Sequence, residues 1–250
     1  MTTASNTGLN AGSNTEAGQD PFHELRLYYV APGRIDDMEA RAENDLRGLF
    51  ARHGVHPLGM WSVVAGPTVP VLAYLTPWQS MPQRTKSWAG FYADPEWASA
   101  RTRTNAGGEL VERYEVLLLR SVIDWQPFTV PDDHVGRVPV VEMVIQSVAV
   151  GRAADVRTAL LEQKLPALRA AGATVHGVFD IMSGRMLPSI VYIISWPGGD
   201  KRFANVVQPA GGSARASTTS ATGTAGAHAV PPLLDRADHY LMRTVPIAWF

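Results

Sequence analysis

The 250-residue chain contains no cysteine. That excludes disulfides, thiolate nucleophiles, and zinc or iron–sulfur sites built on thiolates, and it leaves the redox compartment open. An excess of one charge is also missing. Lys and Arg number 22 against 23 Asp and Glu, a formal net charge of −1, so there is no electrostatic case for nucleic acid or an anionic membrane as partner. No apolar run approaches the roughly 20 residues a membrane helix needs, and an integral membrane protein is not expected. The opening MTTASNTGLNAGSNTEAGQD has neither the basic nor the apolar region of a secretory signal. It reads as a disordered tail over residues 1–21, and a soluble, cytoplasmic protein is the expectation. The motifs of phosphate loops, Ser-His-Asp elbows and acidic metal clusters are absent as well, and no metal ligand is assigned.

What is present is a large apolar fraction and an internal repeat. Hydrophobic residues make up 46% of the chain, enough for a substantial core. PGRIDDMEARAENDLRGLFARHGVHPLGMW, from Pro32, is echoed by VGRAADVRTALLEQKLPALRAAGATVHGVF, from Val150. One ungapped offset of 118 joins Gly33 to Gly151, Gly54 to Gly172, Gly59 to Gly177, Tyr74 to Tyr192 and Trp78 to Trp196. It also joins Glu24 to Glu142. So many matches at one offset, with glycines at turn positions, mark a tandem duplication.

Each copy reads β-α-β-β-α-β, the ferredoxin-like pattern. In the first, strands at 23–30, LGMWSVV, VPVLAYL and YEVLLLRSV enclose a helix over 35–53 and a helical region from Gln79 that restarts at DPEW. There Asp94 is placed to cap and Pro95 to take the first helical position. In the second copy the strands fall near 140–147, 174–182, 189–196 and 239–246, the last at a shifted offset that pairs Arg120 with Arg243. The expected divisions are a first repeat at 22–123, a linker at 124–138 and a second repeat at 139–250 with a low-complexity loop at 204–230. Strands as apolar as VPVLAYL and SIVYIIS need cover on both faces. The fold class is therefore α+β, two tandem ferredoxin-like repeats whose sheets pack face to face as a pseudo-two-fold α/β barrel. In HELRLYY, alternation separates Leu25 and Leu27 from Glu24, Arg26 and Tyr28. The leucines are expected on the helices, with Glu24, Arg26 and Tyr28 pointing into the barrel.

ELRLYYVAPGR, HGVHPLGMWSVVAGP and DPEW resemble the NIPSNAP family of dimeric α/β-barrel proteins across residues 23–121. Glu24, Arg26, Gly33, Gly54, Gly59, Trp61, Gly66, Pro67, Asp94, Pro95 and Trp97 fall on its pattern. The second copy keeps Glu142, Gly151, Gly172, Gly177 and Gly184, but has Val144 for the arginine and lacks DPEW. The resemblance is specific for fold. For function it implies candidates only, since the wider superfamily includes cofactor-free monooxygenases, isomerases, lyases and haem enzymes, and the family is associated with trafficking and signalling.

Two readings of Glu24, Arg26 and Glu142 stand side by side. One is a buried ion network that sets strand pairing. The other makes Glu24 a general base with a pKa raised in an apolar barrel, and gives Arg26, with Arg120 or Arg243, the resulting enolate or phenolate. Trp61, Tyr74 and Trp88, with Tyr28, are candidates to line a cavity for a flat apolar ligand; Trp97 is expected to pack its helix onto the sheet. His53 and His56 suit a helix C-terminus. His176 shares a strand face with Asp180 if that strand is regular, and either joins the polar layer or is a hydrogen-bonded structural residue. His176 or His239 would be the haem ligand if the chain followed its haem-binding relatives; no cofactor is the main expectation. The leading function is a cofactor-independent oxygenase, isomerase, cyclase or lyase acting on a small hydrophobic, aromatic or polyketide-like molecule in the barrel. The rival is a non-catalytic binding or trafficking and signalling adaptor. A homodimer stays open.

Overall fold

The computed structural model describes residues 20–128, 139–199, 202 and 236–246. The tail up to residue 19, most of the linker and the low-complexity stretch 204–230 lie outside them. Eight strands form one closed antiparallel barrel: β1 (Phe22–Val30), β2 (Gly59–Ala65), β3 (Val71–Trp78), β4 (Val111–Ile123), β5 (Val140–Ser147), β6 (Thr174–Ser183), β7 (Ser189–Trp196) and β8 (Ala237–Thr244). Around the barrel the order is β1-β3-β2-β8-β5-β7-β6-β4. Each repeat supplies four adjacent strands in ferredoxin-like order. The closures are equivalent: β2 of one copy pairs with β8, and β4 pairs with β6. Edge pairing thus joins the two sheets, and it leaves no strand edge open.

Helices cover the outside. In repeat one, α1 (Ile35–Arg41), a π-helical turn (Ala42–Leu46) and α2 (Arg47–Arg52) form a continuous run, followed by α3 (Met81–Ala93) and α4 (Pro95–Thr104). In repeat two, α5 (Ala153–Ala159), a π turn (Leu160–Lys164) and α6 (Leu165–Ala170) repeat the first run. Both π turns sit at the same offset of 118, so this inserted residue was inherited through the duplication. Ser80 caps α3 by accepting from the Gln83 amide at 3.3 Å, and Asp94 caps α4 by accepting from the Glu96 amide at 2.8 Å, as DPEW predicts.

The hydrophobic clusters decide which strand face points inward. Leu25, Leu27, Tyr29, Trp61, Leu117, Met143, Phe179, Ile193 and Met242 belong to one cluster drawing on both repeats, which fills the barrel. Tyr74, Trp78, Trp88 and Phe91 pack instead in a layer between sheet and helices in repeat one, and Tyr192 and Trp196 in its counterpart in repeat two. The orientation of β1 is therefore the reverse of the sequence expectation. The leucines fill the barrel, and Glu24, Arg26 and Tyr28 face the helices. A barrel interior favours the more apolar face, whereas α3 can bring polar partners to the other.

Gly59 and Gly177 permit this filling. A Cβ on Gly59 would come within 2.2 Å of the Trp61 ring, and one on Gly177 within 2.7 Å of Phe179. In both copies the aromatic two residues on folds back over the glycine and occupies the interior.

Candidate binding site

The duplicated core of the polar layer is a glutamate held by a tryptophan and an arginine. In repeat one, Trp78 Nε1 donates to Glu24 Oε2 at 2.9 Å, and Arg84 grips both carboxylate oxygens at 2.6 and 3.0 Å. In repeat two, Trp196 Nε1 donates to Glu142 Oε2 at 3.1 Å, and Arg202 grips its carboxylate at 2.6 and 2.7 Å. Arg84 and Arg202 obey the offset of 118. Sequence reasoning missed both, although the same repeat search would have found them.

The third partner differs. In repeat one it is Arg26, two residues along β1, whose Nε meets Glu24 Oε1 at 2.5 Å. In repeat two the equivalent residue is Val144, and His239 Nδ1 reaches Glu142 Oε1 at 2.8 Å from β8. The register explains the exchange. Arg26 lies opposite Val116, and Val144 lies opposite His239, so the third partner has moved across one strand pair.

Glu24 is fully buried, and Trp88 adds a further contact at 3.3 Å. Burial alone would raise its pKa, but hydrogen bonds from Arg84 and the charge of Arg26 outweigh that and hold the carboxyl below its ordinary value. In Glu142 burial is likewise outweighed, by hydrogen bonds from His239 and Arg202, and its pKa falls to about 2. The raised carboxyl that a general base requires is therefore not found at either position.

Arg26 connects this buried pair to a cavity. Its guanidinium lies 3.7 Å from the centre of the Trp88 ring, and its Nη1 donates to the hydroxyls of Tyr28 at 3.1 Å and Tyr92 at 3.2 Å. Tyr74 donates to Tyr28 at 2.9 Å. Burial pushes the pKa of Tyr28 and of Tyr74 up, so both are neutral phenols. Tyr28 and Tyr92 line a cavity of about 220 Å³ between β1, β4 and the helices, walled by Phe50, Phe91, Trp97 and Arg41 among others. Trp97 packs on Phe91 with ring centres 4.8 Å apart.

Other sequence candidates lie elsewhere. Trp61 is buried in the barrel interior against Trp125 and Phe128 of the linker, so it fills the barrel rather than lining a cavity. Arg120 is exposed on β4. Arg243, also exposed, pairs with Glu39 at 2.5 Å. Neither is among the residues that hold Glu24. His176 and Asp180 do not share a face: a bulge at Val175/Gly177 turns His176 inward, while Asp180 pairs with Arg157 of α5 at 2.6 Å. His176 is the structural residue, with Nε2 bonded to Ser195 Oγ at 2.8 Å and Nδ1 to the Gln126 carbonyl at 2.9 Å. With both ring nitrogens engaged His176 does not fit as a haem ligand; His239 bonds Glu142 through Nδ1 alone. Among the described residues no group of three or more His, Asp or Glu side chains could hold a metal ion, and no helix is long and apolar enough to cross a membrane.

Comparison with known proteins agrees with this architecture. A candidate monooxygenase from Lactobacillus acidophilus NCFM matches with a TM-score of 0.53 at 10% identity, over 90% of this chain and 94% of its own. A second candidate monooxygenase, from Fusobacterium nucleatum subsp. nucleatum, gives 0.51 at 7% identity over 90% and 92%. An uncharacterized NIPSNAP-like domain protein from Burkholderia xenovorans, 18% identical, aligns with 44% of this chain and 92% of its own at a TM-score of 0.38. No curated protein matches the sequence. The fold is that of the dimeric α/β-barrel proteins, here completed within one chain. The NIPSNAP family model matches residues 23–123, the span of the first repeat.

Proposed function

We propose that repeat one binds a flat, apolar small molecule in the cavity beside β1 and holds a carbonyl or enol oxygen of it on the Tyr28 and Tyr92 hydroxyls. The observation that carries this reading is the sharing of Arg26 Nη1 between those two hydroxyls. A guanidinium can only donate, so both tyrosines accept from it. Tyr74, fully buried, has its one hydrogen-bond partner among the described residues in Tyr28 and spends its proton there. Tyr28 and Tyr92 each keep a proton to donate, polarised by a cation behind it. The aromatic walls supply apolar contact, and no cofactor is needed.

The same donors would stabilise an enolate, which is what favours the enzymatic reading, in which proton abstraction starts an oxygenation, isomerisation, cyclisation or elimination. Glu24 does not supply the base that this reading needs. Glu24 is saturated by Arg26, Arg84, Trp78 and Trp88, and the likeness to the solved structures carries the fold alone. Binding is therefore the conclusion.

The test compares 2-acetylnaphthalene with 2-ethylnaphthalene, a ketone and a hydrocarbon of one shape, by calorimetric titration. The ketone is expected to bind about tenfold more tightly, the scale of one hydrogen bond. Tyr92→Phe, at a half-exposed ring, should remove the difference without unfolding the chain. Absence of saturable binding by either compound overturns the proposal.

A further inference from the structure

We infer that the ligand of this cavity is an anion, a flat aromatic or conjugated carboxylate, and that Arg41 is its counter-ion. The inference rests on the reading of the cavity as a ligand site and adds the charge that the ligand must carry.

Arg41 ends α1 with 4% of its surface exposed, and it lines the aromatic cavity on one side and a polar cleft on the other. Its Nε donates to Thr104 Oγ1 at 2.7 Å and its Nη2 to Asn105 Oδ1 at 2.5 Å, both neutral acceptors. Its Nη1 has no hydrogen bond among the described residues. The surrounding charges pair without it: Arg34 with Asp37 at 2.5 Å, Arg103 with Asp45 at 2.5 Å, and Arg101 with Glu109 at 3.1 Å. Among the described residues Arg41 is left with no carboxylate in ion-pair range. A buried cation is ordinarily paired, because desolvation is costly and only a close counter-charge offsets it.

Burial pulls the Arg41 pKa down to about 10; the charges of Asp45 and Glu109 oppose the shift, and those of Arg101 and Arg34 add to it. At neutral pH the side chain is still charged. An anion entering the cavity would supply the missing partner through Nη1, a charge-assisted contact. The Trp97 ring, 5.7 Å from the Arg41 carbon, and Phe91 beside it would lie along the flat part of the same molecule. Packing of the helix does not demand the cation, since the offset of 118 puts Ala159 at this place in repeat two.

The probes are 2-naphthoate and 2-naphthamide, equal in shape and different in charge, titrated against the full chain. The wild type is expected to prefer the acid by about tenfold or more, with the preference shrinking as salt is raised. Arg41→Gln should abolish the preference while keeping amide affinity, which shows that the cavity is still formed. Arg41→Lys should restore part of it. Equal affinity of the wild type for acid and amide overturns the role of Arg41 and leaves the cavity reading standing. No binding of either probe, with 2-acetylnaphthalene also silent, overturns the cavity reading itself. A preference that survives in Arg41→Gln assigns the anion to Arg101, which lines the same cavity, and likewise overturns this proposal.

Discussion

The two repeats share a backbone down to the π turns, yet differ in what surrounds one glutamate. Repeat two keeps the Trp196–Glu142–Arg202 grip and completes it with His239, whose side chain is 46% exposed. Repeat one replaces that histidine by Arg26, whose side chain is 4% exposed and which extends the network through Tyr28, Tyr74 and Tyr92 to a cavity. The shared part of the motif ties β1 to β3 in one copy and β5 to β7 in the other. The unshared part borders the cavity. Duplication thus separates architecture from function: what both copies have is explained by folding, and what one copy has needs another reason.

The sharpest way to break this comparison is at the glutamates themselves. Glu24→Gln leaves Arg26 buried and Arg84 half-satisfied, and breaking a buried pair costs about 3–5 kcal/mol. Glu142→Gln should cost less, because His239 can turn to water. Urea unfolding of both variants checks the order; equal losses would mean that Arg26 adds nothing to the architecture of repeat one.

Acid sharpens the comparison next. The Glu142 carboxyl is depressed from an ordinary value of 4.5 to about 2. Its contribution to stability is therefore complete above about pH 5 and is lost as pH falls toward 2. The stability gap between wild type and Glu142→Gln should be full at pH 7 and narrow steadily over that window. A gap that stays constant from pH 5 to 2 would show that the carboxylate charge is not what Arg202 and His239 hold.

A third comparison concerns the interior. Gly59→Ala must displace Trp61, and Gly177→Ala must displace Phe179, with overpacking of this kind costing about 1–3 kcal/mol. The indole is the larger ring and the closer contact, so Gly59→Ala should unfold at the lower temperature. Neither should alter ligand binding outside the barrel.

Much of this was legible beforehand, and one thing was not. The offset of 118 led from Gly33 and Gly151 to a pseudo-symmetric barrel, and DPEW led to the Asp94 cap. The facing of β1 was not legible, because period-two alternation separates two faces without naming either. Both faces of β1 are largely buried, so burial gave no sign. The deciding residues, Arg84, Trp88 and Tyr92, lie on α3, some 60 residues away. The inward turn of His176 depends on a bulge that no periodicity reveals. Arg41 was invisible for a different reason: its surroundings, rather than its identity, leave it unpaired.

The smallest effect is the most discriminating about purpose. Tyr28 and Gln146 occupy the same place in the two copies. Tyr28 accepts from Arg26 and Tyr74; Gln146, 2% exposed, has a side-chain carbonyl with no hydrogen-bond partner among the described residues. Removing the Tyr28 hydroxyl in Tyr28→Phe strands two buried donors, at about 1–3 kcal/mol, because leaving a buried group unpaired forfeits its solvation. Gln146→Met instead deletes an acceptor that already lacks its partner and fills the space with a flexible apolar chain. It should leave the melting temperature unchanged or raise it slightly. If Gln146→Met destabilises as much as Tyr28→Phe, then this strand position is structural in both repeats, and the tyrosine in repeat one would need no ligand to explain it.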